Sequence, residues 1–291
     1  MATVQSFTKR QSQASAAAGI QPGIAAQMRR RRWLVNALRI GLLVVALGGW
    51  ELAARLGWID PFFFAMPSQI AAQIWEWINE GTSQGPLWEQ VLVTLEETVL
   101  GFLIGAVLGI LCGVALGRNR LLADVFSIYI KIANSVPRVV LGSIFIISLG
   151  LGMASKVALA VVMVFFVVFG NAFQGVREAD RNLIANARIL GASPHQVTMS
   201  VVIPSALTWI IASLHVSFGF ALVGAVVGEF LGSRQGIGLL IATAQGTFNA
   251  AGVFAAMIVL AVVALIAESL ITLLENTLIK WRPAQLDETG F

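Results

Sequence analysis

Charge is what this sequence has least of. Asp, Glu, Lys and Arg make up 12% of its 291 residues, about half the share of a soluble globular chain, so an ordinary water-facing surface cannot be built from it. Cysteine occurs once, as Cys112 within an apolar stretch, which excludes an intrachain disulfide and leaves a space-filling role. The two histidines, His195 and His215, lie in different segments far from that cysteine, so no zinc ligand set exists and no metal is expected. Ser193 and His195 stand two apart, a spacing that does not bring a nucleophile and a base together on a helix. No Gly-x-x-x-x-Gly-Lys-Ser/Thr loop occurs, so no nucleotide phosphate is cradled that way. With no catalytic constellation, an enzyme is not expected. A cleavable secretory signal is also excluded, because the first apolar run begins only after Arg32, is too long and lacks a cleavage site.

What fills the chain instead is hydrophobic. Apolar residues reach 57% and mean hydropathy is +0.83, which defines a multispanning, all-α membrane protein. A span needs about 20 apolar residues at 1.5 Å each. Six candidates are centred on Leu42 to Leu56, Val91 to Leu116, Val139 to Leu151, Val157 to Phe173, Leu207 to Val227 and Val253 to Leu274. The third is short unless it starts near Val125, which would carry Lys131, Asn134, Pro137 and Arg138 into the membrane; a break at Pro137 is expected, with a shallow helix before it. Gly101, Gly105, Gly109 and Gly113 recur every fourth residue in the second span and predict a close helix approach. Residues 1–32 read as a disordered cytoplasmic tail, 33–282 as the membrane domain and 283–291 as a second tail. A short amphipathic helix over Gln69 to Asn79 is expected to lie on the outer surface.

Basic residues orient the spans. Arg29 to Arg32, then Arg118 and Arg120, then Arg177, Arg181 and Arg188, then Lys280 and Arg282 all fall on one side of a six-span topology, which is the cytoplasmic side, with both termini inside. Trp58 to Trp88 carries acids and no Lys or Arg. Tryptophans 33, 58, 75, 77, 88 and 281 cluster at span ends. The net charge of +4 follows from this bias and does not suggest a nucleic-acid partner.

The cytoplasmic loop over 177–203 has the clearest local signals. Asn182 to Leu190 reads as an amphipathic helix with Leu183, Ile184, Ala187 and Leu190 on its apolar side. Gly191 supplies a left-handed stop. Ser193, Pro194 and Gln196 then read as an N-cap, a proline at the first helical position and a capping box that open the next helix.

Ala185-Asn186-Ala187, three residues, Gly191, nine residues, Val201, then Ile203-Pro204 resembles the coupling loop of ATP-binding-cassette importer permeases, in which Glu-Ala-Ala precedes the glycine. Ala187, Gly191 and Pro204 match, whereas Ala185 and Asn186 stand where the family has Glu and Ala. Val136-Pro137-Arg138-Val139-Val140-Leu141, Gly150-Leu151-Gly152, Gly228-Glu229-Phe230 and Gly236-Ile237-Gly238 resemble the nitrate/sulfonate/taurine-type permeases in the same order. The resemblance covers Leu34 to Pro283. It implies a type I importer permease fold in a bacterial inner membrane and a translocation path for a small solute. It further implies two partner ATPase subunits, which hold the ATP and magnesium, a second copy of this chain and an extracytoplasmic binding protein. Asn182, Leu183, Ala185, Asn186, Ala187, Leu190, Gly191, Ala192, Ser193 and Pro204 would form the ATPase dock, and no cofactor would be bound by this chain.

Ionisable residues within the spans have two uses. Glu97 lies about 13 Å from the outer end of its span, Arg138 about 18 Å from Gly150 and His215 about 16 Å from Pro204, depths at which a charge faces protein or water. They line a translocation path, with Glu229 at its outer end, or they are structural, with Glu97 pairing Arg138 or another cation and His215 hydrogen-bonding a neighbouring backbone. Glu268 is expected to face packed helices near the inner leaflet. Oxyanion permeases of the family commonly show an Arg where this chain has Glu96-Glu97, so the resemblance leaves oxyanions and pyrimidine-like, amine-bearing or aromatic solutes all open. A self-sufficient ion-coupled transporter or channel is the competing class, disfavoured by the lack of inverted repeats.

Overall fold

The computed structural model describes residues 22–278, and its long helices follow from the apolar runs above. The expected tails over 1–21 and 283–291, and the basic pair Lys280 and Arg282, lie outside the described residues. Helix α1, Pro22–Arg55, holds the first candidate span, Trp33–Arg55. Its start corrects the expectation that disorder extends to residue 32. Pro22 sits at the helix start, where a missing N–H costs nothing, and after Gly23 no further glycine or proline intervenes before Trp33. At the far end Glu51 accepts from Arg55 Nε at 2.8 Å and from the Ser68 backbone N–H at 3.0 Å.

From residue 69 onward the chain forms a second compact unit. Helix α2, Pro67–Asn79, leads into it, with Ile70 and Trp77 buried and Trp75 and Ile78 exposed. Helices α3, Leu87–Arg118, α6, Met153–Arg177, and α9, Ile203–Leu231, pack against one another as the core of the unit. The glycine stripe of α3 is what lets α6 approach. A Cβ at Gly105 would lie 2.8 Å from the Val161 carbonyl, and one at Gly113 would lie 2.8 Å from that of Phe169. The stripe runs one turn further than expected, to Gly117 against Val176.

Between α3 and α6 the chain is broken as the sequence indicates. Helix α4, Arg120–Ser135, ends in extended backbone at Val136; after Pro137 a single 3-10 turn leads into α5, Leu141–Leu149. The two halves meet at 76°. Proline excludes the α conformation from the residue before it and offers no N–H to continue the ladder, which places the break here. Helix α10, Ile237–Gly246, is apolar but too short to span, and α11, Ala250–Leu278, contains the last span.

Candidate functional site

The loop after α6 is an elbow held rigid from within. Asp180 caps helix α7, Arg181–Ile189, by accepting from the Asn182 N–H at 2.7 Å. The helix ends in a complete Schellman motif: Gly191 N–H donates to the Arg188 carbonyl and Ala192 N–H to that of Ala187, each at 3.0 Å. This needs a left-handed residue, and Gly191 has φ +84°. Ser193 then caps the short helix α8, Pro194–Val197, in the expected capping box, its N–H donating to Gln196 Oε1 at 2.8 Å and its Oγ accepting from the Gln196 N–H at 3.3 Å.

One feature of the elbow has no counterpart in the sequence reading. Thr198–Val202 is a wide π turn that joins α8 to α9 without interruption. Its cause is Pro204, which has no N–H to give to the Ser200 carbonyl in α register, while Ser205 Oγ donates to the Val201 carbonyl at 2.8 Å.

The apolar side of α7 is divided in a way the periodicity does not reveal. Ile184, Ala187 and Ala192 pack on a core formed by Ala172, Val176, Ala179, Val197, Val202, Ala206 and Ile210. Leu183 and Leu190 instead point outward, at 52% and 86% exposure, joined by Ile189 at 82%. Asn182, Ala185, Asn186 and Ser193 are exposed around them. Leu183, Asn186, Ala187 and Leu190 line one wall of an open groove of about 580 Å³, with Ser200, Val201, Pro204 and Ser205 opposite. Three large aliphatic side chains on a water-facing loop, beside a groove, are an unfilled contact surface.

A second polar assembly lies in the packed interior. Gln90, Thr94, Glu97 and Thr98 form one buried stripe on α3, while Glu96, rotated away, is exposed. The Gly236, Ile237 and Gly238 N–H groups at the start of α10 have no helical acceptor. They donate to Gln90 Oε1 at 2.8 Å, Thr94 Oγ1 at 3.0 Å and Glu229 Oε2 at 2.6 Å. Thr94 Oγ1 in turn donates to Glu229 Oε1 at 2.7 Å. Lys156, wholly buried, donates to the carbonyls of Leu151 at 2.6 Å and Gly152 at 3.1 Å and interacts electrostatically with Glu97 and Glu229. Read from the sequence as an outer-loop residue, Lys156 instead sits buried in the first turn of α6, where a cation opposes the helix dipole and calls for nearby carboxylates.

Four residues were expected on a path, and they separate. Glu97 and Glu229 belong to this interior knot, at 2% and 0% exposure. Of the cations expected to pair with Glu97, Arg138 does not; the one beside it is Lys156. Arg138, at the break between α4 and α5, donates to Asn134 Oδ1 at 2.8 Å and lies over the Phe166 ring at 4.9 Å. His215 on α9 comes within 3.8 Å of Glu268 on α11, so the expected burial of Glu268 is also corrected: its side chain is 63% exposed. Among the described residues no cluster of potential ligands could hold a metal ion.

Six apolar spans, one of them broken, and a rigid capped elbow with an open apolar groove define the membrane subunit of a transporter. The chain belongs to the family of binding-protein-dependent transport system inner membrane components, whose model matches residues 105–280. It is a multi-pass membrane protein and a transmembrane subunit of an ATP-binding-cassette importer. It is 32% identical to the riboflavin transport system permease protein RibX of Chloroflexus aurantiacus, over 87% of this chain and 93% of that one. With the taurine transport system permease protein TauC of Escherichia coli it shares 28% identity over 86% and 92% of the two chains. Its fold is similar to a chain of the MetNI methionine ABC transporter in an inward-facing conformation. That match has a TM-score of 0.56 at 21% identity and covers 66% of this chain and 94% of the other.

Proposed function

We propose that two copies of this chain form the path, that two ATPase subunits dock at the elbows, and that a binding protein delivers a small solute from outside. The observation that carries this reading is the groove beside α7, where exposed Leu183, Ile189 and Leu190 stand on a helix whose other side is locked into the core. A helix anchored this way moves as a lever with α6 and α9, since Ala172 and Val176 of one and Ala206 and Ile210 of the other share its core. Closure of the ATPase dimer on binding ATP and magnesium would draw the levers together and open the path outward; hydrolysis would reverse the motion. The ATPase must bind the two states unequally, because a partner with equal affinity for both shifts nothing.

The basic loops put the elbow and both termini in the cytoplasm. Cysteines introduced at Asn119, Asn182 and Gln285 are expected to react with an impermeant thiol reagent only from the inside, and one at Thr82 only from the outside. Labelling of Asn182→Cys from outside would remove the groove from the ATPase and overturn the reading.

A further inference from the structure

Two opposite charges lie at one depth of the bundle without meeting. Depth follows from the close contacts of α6 with α9, which runs antiparallel to it. Gly228 lies against Lys156, Gly224 against Ala160 and Trp209 against Gly175. The register is the same at all three, so Phe166 on α6 is level with Phe218 on α9, three residues or about 4.5 Å from His215. Arg138 rests on the Phe166 ring at 4.9 Å, and Glu268 of α11 comes within 3.8 Å of His215. Phe166 is near the middle of α6, so the guanidinium and the carboxylate both stand at mid-membrane. The acids of the interior knot do not. Glu97 and Glu229 gather round Lys156, ten residues or about 15 Å nearer the outer end.

Within one chain the two charges have no way to balance each other. Arg138 is held by Asn134 Oδ1 at 2.8 Å, and among the described residues no carboxylate pairs with it. The Glu268 side chain is 63% exposed. Its helix packs on α9 and α10, whereas α5, beyond the break, packs on α6 and α9. Exposed charges at this depth are costly against lipid, so they face protein or water.

The glycines favour protein. In α3, α6 and α9 every glycine but two would bring a Cβ within 3.1 Å of a neighbouring helix. The exceptions, Gly170 and Gly219, have nothing within 4 Å. Both lie in the band that holds the charges: Gly170 stands one turn from Phe166 on α6, and Gly219 one turn from His215 on α9. A glycine costs a helix stability, and in membrane spans small residues mark where another helix packs closely. Two unused approach points beside two opposite charges form a surface that belongs against a further helix.

A two-fold axis along the membrane normal keeps every residue at its own depth. Two copies can therefore pair only residues that are level, and each pair forms twice. Arg138 and Glu268 meet this condition with opposite sign. We propose that a second copy of this chain packs on this band, the Arg138 guanidinium of each copy pairing with the Glu268 carboxylate of the other beside Gly170 and Gly219. This deepens the two-copy reading and rests on it.

The test uses the full chain in its membrane, with Cys112→Ala as the background. Arg138→Cys and Glu268→Cys are carried on two differently tagged copies and treated with a bis-methanethiosulfonate reagent of short spacer. Val107→Cys replaces Glu268→Cys as the control: Gly105 against Val164 and Gly109 against Val168 make Val107 level with Phe166, on a side of α3 where it is 55% exposed. The expected result is a covalent pair of copies with Glu268→Cys and none above background with Val107→Cys. Without cysteines, Arg138→Glu and Glu268→Arg are each expected to lower co-purification of the two tagged copies about tenfold, and the two reversals in one chain to restore it. That recovery separates a lost contact from a lost fold. Equal cross-linking at the two positions, unchanged co-purification in the single reversals, or no recovery in the double one would overturn the proposal and leave these charges to the solute path. ATP-driven uptake with the ATPase and binding protein is measured separately, and its absence beside intact pairing would count against the importer reading alone.

Discussion

Gly236 shows what one residue must do for the start of α10 to pack. It has φ +109°, and a Cβ there would run into the Glu229 carboxylate that accepts from Gly238 N–H. Backbone strain and overpacking thus act together at a buried site. Gly236→Ala is expected to lower stability by about 2 to 4 kcal/mol, measured as a fall in the thermal unfolding midpoint of the detergent-solubilised protein. Gly170→Ala, on open helix surface, should leave the midpoint unchanged or raise it slightly. Equal midpoints for the two variants would mean that the knot of Gln90, Thr94 and Glu229 does not hold α10 in place. Of the polar half of this knot only Glu97 was singled out, although Gln90, Thr94 and Thr98 fall on the same face of an otherwise apolar helix. Its partners were not legible, since nothing local in the sequence says that Lys156 and the 236–238 backbone arrive at the same point.

At the scale of the elements, the elbow was readable almost residue by residue, because caps are local. Gly191, Ser193, Pro194 and Gln196 act on neighbours within five positions, and each bond forms as their types imply. What periodicity could not supply was which apolar residues of α7 turn inward, since that depends on where α6 and α9 lie in space. The π turn escaped for a related reason: a proline in a helical run signals a disturbance, and packing decides whether the ladder kinks or widens. The elbow's dependence on a left-handed residue leads to a sharp expectation. In Gly191→Val the side chain has open space, so the penalty is backbone strain alone, about 1 to 2 kcal/mol. The spans should insert normally while α7 tilts, and stimulation of ATP hydrolysis by loaded binding protein should fall. Gly191→Asn, which tolerates the left-handed region, should retain most of it. If Val and Asn variants stimulate alike, the Schellman turn does not set the lever's angle.

For the whole molecule, hydropathy placed six spans and the proline placed the break at Pro137, because the membrane demands long apolar helices and satisfied backbone. The roles of the ionisable residues were not legible, since depth along a helix says nothing about direction around it. Glu97 turned inward and Arg138 turned to an open face, although both lie deep in their spans. The account's central claim is that an external ATPase drives this chain through the groove at the elbow. The most direct measurement compares wild type with Leu190→Asp, a change at a side chain 86% exposed and outside the core that anchors α7. Both are reconstituted with the ATPase and loaded binding protein, and ATP hydrolysis and uptake are followed together. The account predicts equal insertion and thermal midpoints, with co-purification of the ATPase, stimulation and uptake all lost in the variant. Equal stimulation and uptake in the two, or concentrative uptake by the chain alone under an ion gradient, would contradict it.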